Sequence, residues 1–100
     1  MKTIKIGCID YAVDIVALLE DDERNEIFGQ VAYDESKIRI LDRLAPQAKI
    51  ATLWHEVIHA ILIEAGFTGD HDEHMVSAIA HGISAVLKNN PKIEIDANNQ

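Results

Sequence analysis

Residues 52–62 read TLWHEVIHAIL, an apolar run in which two of the chain's five histidines stand four positions apart and Glu56 directly follows the first. Burying three titratable groups there costs free energy unless each finds a partner. A helix would supply one. Residues four apart lie about one turn apart on a single face, so His55 and His59 present two imidazoles to one point, which is a metal-chelating arrangement. Glu56 is rotated by about 100° from His55, flanking that point, where it can reach a water on the ion without ligating it. A bound Zn²⁺ lowers the pKa of its water from about 16 to about 7, and a nearby carboxylate can then take the proton and hand it to a leaving amine. With five His and eight Glu in one hundred residues, a His-Glu-x-x-His match arises by chance in about 2% of such chains. The plain alternative is a pair of partly exposed helix histidines with no metal, but this run would then bury imidazoles without an evident partner.

The flanks support the helix. Pro46 suits a first turn, apolar residues follow at helical spacing through residues 47–65, and Gly66 supplies the stop. After the loop FTGD, a second helix is expected to start near DHDE, residues 70–73. It carries Val76, Ile79, Ala80, Ile83 and Leu87 at spacings of three and four, and ends at NNP.

A catalytic zinc usually has three protein ligands and one open position. The metzincin continuation would need Gly where Leu62 stands and a ligand where Ala65 stands, so it is excluded. The candidates are Asp70, His71, Asp72, Glu73 and His74. Helical phase puts Glu73 in line with Val76, Ala80 and Leu87 on the stripe facing the first helix, and turns His74 about 100° toward the edge. Asp72 is better placed as an N-cap. Glu73 is therefore the expected third ligand, the alternative being that it closes a capping box opened by Asp70.

TLWHEVIHAIL followed after a short loop by DEHMVSAIAHGI resembles the gluzincin-type zinc peptidases, in particular the small ImmA/IrrE-like and minigluzincin proteins, including short phage-encoded ones. GQVAYDESKIRI in the front half resembles theirs as well. The resemblance implies His55, His59 and Glu73 as zinc ligands and Glu56 as general base, with Ala80 matching an alanine seven residues beyond the ligand glutamate. It also implies a zincin-like fold and peptide-bond hydrolysis, in relatives directed at repressor proteins of mobile elements. Ser77 stands where those families usually have Asn or Asp, a weaker partner for orienting His59.

The front half reads as strands. TIKIGCIDYAVDIV alternates Ile4 and Ile6, then Ile9, Tyr11, Val13 and Ile15, around Gly7, as in a half-buried strand or bent hairpin. ALLEDDERNE is acidic and weakly helical, and reads as a solvated helix turn or loop. In IFGQVAYDESKIRIL, Phe28, Val31 and Tyr33 precede a polar DES turn and Ile38 and Ile40 follow it, which is a β-hairpin. KIEID near the end could add a short strand.

Composition sets bounds. One hundred residues, 48% of them hydrophobic, suffice for one domain, residues 1–100. A net charge of -8 with scattered basic residues argues against nucleic acid or an anionic membrane as partner. The single cysteine, Cys8, permits no internal disulfide, and no apolar run reaches membrane-spanning length. A soluble cytoplasmic protein is expected.

The expected architecture is α+β and zincin-like: a small, mostly antiparallel sheet against the His55–His59 helix, completed by the Glu73 helix. A substrate peptide would lie along an edge strand formed by Lys37–Leu41. His81 and Tyr33 are possible oxyanion donors. His71, His74 and His81 otherwise read as loop or surface residues, and Trp54, Phe28 and Phe67 as core. Two other readings stay open, a zinc-stapled non-catalytic module and a latent protein whose site is covered by the KIEID segment or a partner chain.

Overall fold

The structure of the protein, a computed structural model, describes residues 2–93. The strand expected in KIEID runs past the described residues. Strands β1 (Lys2–Ile6) and β2 (Ile9–Val16) form the expected hairpin, turning at Gly7 and Cys8 with Ile4 opposite Tyr11. The acidic segment that follows is a loop, closed by an isolated bridge between Glu20 and Glu26, without the helical turn that its sequence also suggested. It is tied by the Asp21 carboxylate, which accepts from the backbone N–H groups of Glu23 and Asn25 at 2.9 Å each. Strands β3 (Gly29–Ala32) and β4 (Lys37–Leu41) make the second hairpin.

The sheet order is β1-β2-β4-β3, with β4 parallel to β2 and the other two pairings antiparallel, so the sheet is mixed. This corrects one expectation. Lys37–Leu41 is not an edge but a central strand, paired with β2 on one side and β3 on the other. Its Ile38, Ile40 and Leu41 are the most deeply buried aliphatic side chains of the strands. Apolar content of this density marks a strand covered on several sides. Among the described residues, β3 is the edge strand that packs more extensively against the first helix.

Helix α1 (Pro46–Glu64) begins with Pro at its first turn and ends in a Schellman motif. Gly66, at φ 99°, takes the left-handed conformation, its N–H donates to the Ile63 carbonyl, and the N–H of Phe67 donates to the Leu62 carbonyl. Helix α2 (Glu73–Asn89) is capped by Asp72, whose side chain accepts from the Met75 N–H at 3.1 Å. With Asp72 as N-cap, Glu73 is the first helical residue, and no capping box with Asp70 forms.

One core lies between sheet and α1: Ile6, Tyr11, Ile38 and Ile40 against Val57 and Ala60, with Leu53 and Trp54 alongside. The Tyr11 hydroxyl finds its partner on α1, donating to the Glu64 carboxylate at 3.1 Å. A second, smaller cluster joins α1 to α2 through Ile58, Val76 and Ala80, flanked by Trp54, Leu62 and Ile83. The inward stripe of α2 is shorter than its sequence suggests, since Leu87 and Ile79 are exposed. Trp54 packs in both clusters as expected, whereas Phe28 and Phe67 are exposed. Both sit in connections: Phe28 lies under the Arg43 guanidinium, 5.9 Å from ring centre to carbon, and Phe67 spends its backbone on the helix stop. Among the described residues, no helix is long and apolar enough to cross a membrane.

Candidate metal centre

The one-turn spacing on α1 places the two imidazoles side by side, His55 Nε2 and His59 Nε2 standing 3.1 Å apart. Glu73 enters from the first turn of α2. Its Oε1 lies 2.9 Å from His55 Nε2 and 3.2 Å from His59 Nε2, and its Oε2 lies 3.1 Å from His59 Nε2. The potential ligand atoms of the three residues all fall within 4.8 Å of one another, a group that can hold a metal ion. Two ligands about 2.0–2.1 Å from a tetrahedral ion stand about 3.3 Å apart, so the observed spacings of the nitrogens and the carboxylate are close to what one ion requires.

The outer nitrogens are engaged too. Ser77, one turn beyond Glu73 on α2, places its hydroxyl 3.1 Å from His55 Nδ1. The serine thus serves His55, not His59, because residues four apart on α2 rise along α1 in the direction of His55. His59 Nδ1 instead meets His71 Nδ1 at 2.7 Å, and His71 Nε2 donates to the Phe67 carbonyl at 2.7 Å. His71, expected to be an uninvolved loop residue, was missed because phase arguments do not reach loop residues. The available signal was the general need of a ligating histidine for a partner at its other nitrogen. His74 is exposed and outside the group, as expected.

Glu56 is nearly enclosed, 9% exposed, and faces the same cleft as His55 and Glu73, an open space of about 600 Å³ whose walls also include Phe28, Thr52, Ser77 and His81. Burial, assisted by the negative charge of Glu73, pushes its carboxyl up to about 7. A close approach sets its position. A Cβ on Gly29 would come within 2.5 Å of Thr52 Cγ2 and 3.1 Å of both Cγ and Oε2 of Glu56, so only a glycine lets strand β3 lie this near the carboxylate.

Burial acts to raise the Glu73 carboxyl, but hydrogen bonds and charge from His55 and His59 outweigh it and hold the group below its ordinary value. His59 is pulled below the usual imidazole value mainly by burial, against the opposing influence of Glu73, which favours the neutral ring that a metal needs. Of the two oxyanion candidates, His81 stands on the cleft wall, one turn beyond Ser77 on the α2 face that carries Glu73. Tyr33 follows β3. Burial, then the charge of Glu56, pushes its phenol up to about 12, so it keeps its proton at neutral pH, with smaller contributions from Tyr11 and Glu73.

Comparison with known proteins returns no match: no family model fits the chain, and neither a curated protein nor a solved structure resembles it significantly.

Proposed function

We propose that the protein is a zincin-like, zinc-dependent metallopeptidase, an enzyme hydrolysing peptide bonds, with His55, His59 and Glu73 holding the metal and Glu56 acting as general base. The observation that carries this reading is one juxtaposition: two imidazole nitrogens and a carboxylate converge within about 3 Å of one another, and a buried carboxylate faces the same cleft. Zinc bound there would supply Lewis acidity, polarising a carbonyl and acidifying water. Glu56 takes a proton from the attacking water at its carboxylate and returns it to the departing amine nitrogen, a role suited to a group whose proton affinity is matched to neutral pH. Its enclosure keeps it from competing hydrogen bonds with solvent. His81, an exposed residue on the cleft wall, is the candidate donor to the carbonyl oxygen as negative charge develops.

The substrate class is an extended peptide or protein segment. Strand β3 borders the cleft through Gly29 and, among the described residues, pairs with β4 on one side only, so main-chain groups on its other side are available to align such a segment. A regulatory, repressor-like protein in the cytoplasm is the substrate that the family resemblance suggests. The test is digestion of a peptide panel and of intact repressor-like proteins by zinc-loaded protein, chelated protein and Glu56→Gln. Cleavage by the first alone, with Glu56→Gln still holding one zinc, is expected, with turnover lowered about 10²–10⁴-fold or more. Equal turnover by Glu56→Gln would remove the general-base role. In the same series Glu73→Ala should lose zinc on dialysis and His74→Ala should keep it; the reverse result would replace Glu73 by a third histidine.

A second reading has its own observation. Among the described residues, helix α2 packs against α1 and against no strand, so a metal joining Glu73 to His55 and His59 would staple it in place without chemistry. Zinc-dependent stability with no hydrolysis of any substrate would favour that reading.

A further inference from the structure

We propose that the groove between the first half of α1 and the last half of α2 is a subsite for an apolar peptide segment that bears a carboxylate, with Lys88 holding that carboxylate at the far end. The proposal rests on the peptidase reading of the neighbouring cleft and names the kind of segment the cleft would receive.

The groove follows from how the two helices meet. Their buried contact is Ile58 against Val76 and Ala80. Toward the start of α1 and the end of α2 the walls carry small residues, Ala48 and Ala51 on one helix and Ser84 and Ala85 on the other, and an open space of about 750 Å³ remains between them. Ile50, Trp54 and Leu87 add apolar wall. Ser84 brings little free polarity, because its hydroxyl donates to the Ala80 carbonyl of its own helix at 2.9 Å. A concave space of this size, mostly apolar with a few polar groups, is the usual form of a binding site. It is also continuous with the cleft. Ala48, Ala51 and His81 line both spaces, so a segment that passes His81 leaves one and enters the other.

Charge distinguishes the two. The cleft wall carries Glu26, Glu56 and Glu73, whereas the lining of the groove contains no carboxylate, and Lys88 is the one lysine or arginine in either lining. The first turn of α1, which borders the groove, has no acidic residue either. Among the described residues no carboxylate lies within ion-pairing distance of Lys88, although the chain as a whole carries a net charge of -8. A carboxylate on a bound segment is therefore accepted at Lys88, and this polarity sets which end of the segment enters the groove. Apolar side chains against Trp54, Ile50 and Leu87 supply the area buried. Lys88 follows Glu73 by about four turns of α2, or about 22 Å. An extended chain advances about 3.3 Å per residue, so the carboxylate lies about six residues from the bond at the metal group.

The single tryptophan of the chain is Trp54, so its emission reports occupancy of the groove. The chelated, full-length protein is titrated with three acetylated Leu-Ala hexapeptides: one with a free C-terminal carboxylate, one amidated, and one amidated with Asp at the last position. A peptide with a carboxylate should bind about three- to five-fold tighter than the neutral one, as expected for a partly exposed charge pair. Lys88→Gln should abolish that difference. Because Lys88 also offsets the helix dipole in the last turn of α2, a second variant leaves charge alone: Ala85→Leu fills the groove and should weaken all three peptides at least about tenfold. Preference for the free carboxylate alone identifies a chain terminus as the anion, and preference for the Asp peptide alone identifies an acidic side chain; either supports the subsite. Equal affinities in wild type, an order that survives Lys88→Gln, or Trp54 emission that no peptide changes overturns it. Unchanged binding by Ala85→Leu overturns it as well, whether or not Lys88→Gln folds. Binding here needs no zinc, so the two readings separate. The expected order with no zinc-dependent cleavage of longer peptides sinks the peptidase and leaves the groove standing. Zinc-dependent cleavage that ignores a carboxylate about six residues away sinks the subsite alone.

Discussion

Toward the sheet, α1 sets Val57 and Ala60 against Ile6, Tyr11, Ile38 and Ile40, large side chains almost wholly removed from water; toward α2 its fully buried contact is Ile58 against Val76 and Ala80, with Trp54, Leu62 and Ile83 partly buried around it. The outer surface of α2 leaves Met75, Ile79, Val86 and Leu87 exposed. Hydrophobic stabilisation scales with apolar area buried, so the sheet side carries most of the fold's stability and the α2 side little of it. Yet the third candidate ligand, Glu73, crosses the weaker side. The stable half of the molecule holds His55, His59 and Glu56, and the less firmly packed half supplies the residue that would close the site.

Substitutions on the two sides put this contrast to the test, and the largest expected effect is in the core. Ile40→Ala, at a side chain 1% exposed, should cost about 2–5 kcal/mol in denaturant unfolding, and Val76→Ala clearly less, because the thinner α2 contact can collapse around the lost methyl groups. Equal losses would mean that the two interfaces contribute alike.

Glu56 comes next, since it lies between the two sides. In the metal-free folded protein it holds its proton up to about pH 7, against 4.5 for an ordinary carboxyl. Between those values the folded state binds more protons than the unfolded one, so its contribution to stability is present at low pH and is lost as pH rises through this window. At 1.36 kcal/mol per pH unit the full change is about 3 kcal/mol. His59, shifted downward, works in the opposite sense, with stability gained as pH rises toward 6.5. The comparison that isolates Glu56 is therefore chelated wild type against chelated Glu56→Gln from pH 4 to 8, and parallel curves would show that the carboxyl is not held protonated.

Zinc should sharpen the contrast between the halves. At one hundred times its dissociation constant a metal adds about 2.7 kcal/mol to stability. Before it binds, amide hydrogens of α2 should exchange through openings of lower free energy than those of β4 and α1. With zinc, α2 protection should rise toward that of the core. Protection of α2 equal to that of β4 in the chelated protein would contradict the thin-interface account.

The smallest effect concerns the sheet edge beside the site. Gly29→Ala forces a methyl against Thr52 and Glu56, and should cost about 1–3 kcal/mol by overpacking. Thr52→Ser, which removes the Cγ2 atom nearest the new methyl, should restore most of it in the double variant. An additive pair would show that the strain lies elsewhere.

The sequence by itself determined the local structure and the identity of the candidate ligands. Periodicity of 2 and 3.6, Pro46, Asp72 and Gly66 mark both hairpins, both helices and their ends, and the four-residue spacing of His55 and His59 with the phase of Glu73 brings out the ligand group. These are short-range properties, set by backbone sterics and by which face a side chain occupies. Tertiary structure decided what depends on residues distant in sequence: that Lys37–Leu41 is central and parallel to β2, that Ser77 meets His55, that His71 meets His59, and that Gly29 lies against Glu56. Strand order follows from how two hairpins bury their apolar faces together, and a loop histidine has no period from which its direction can be read. Partners of that kind are fixed only when the whole chain has packed.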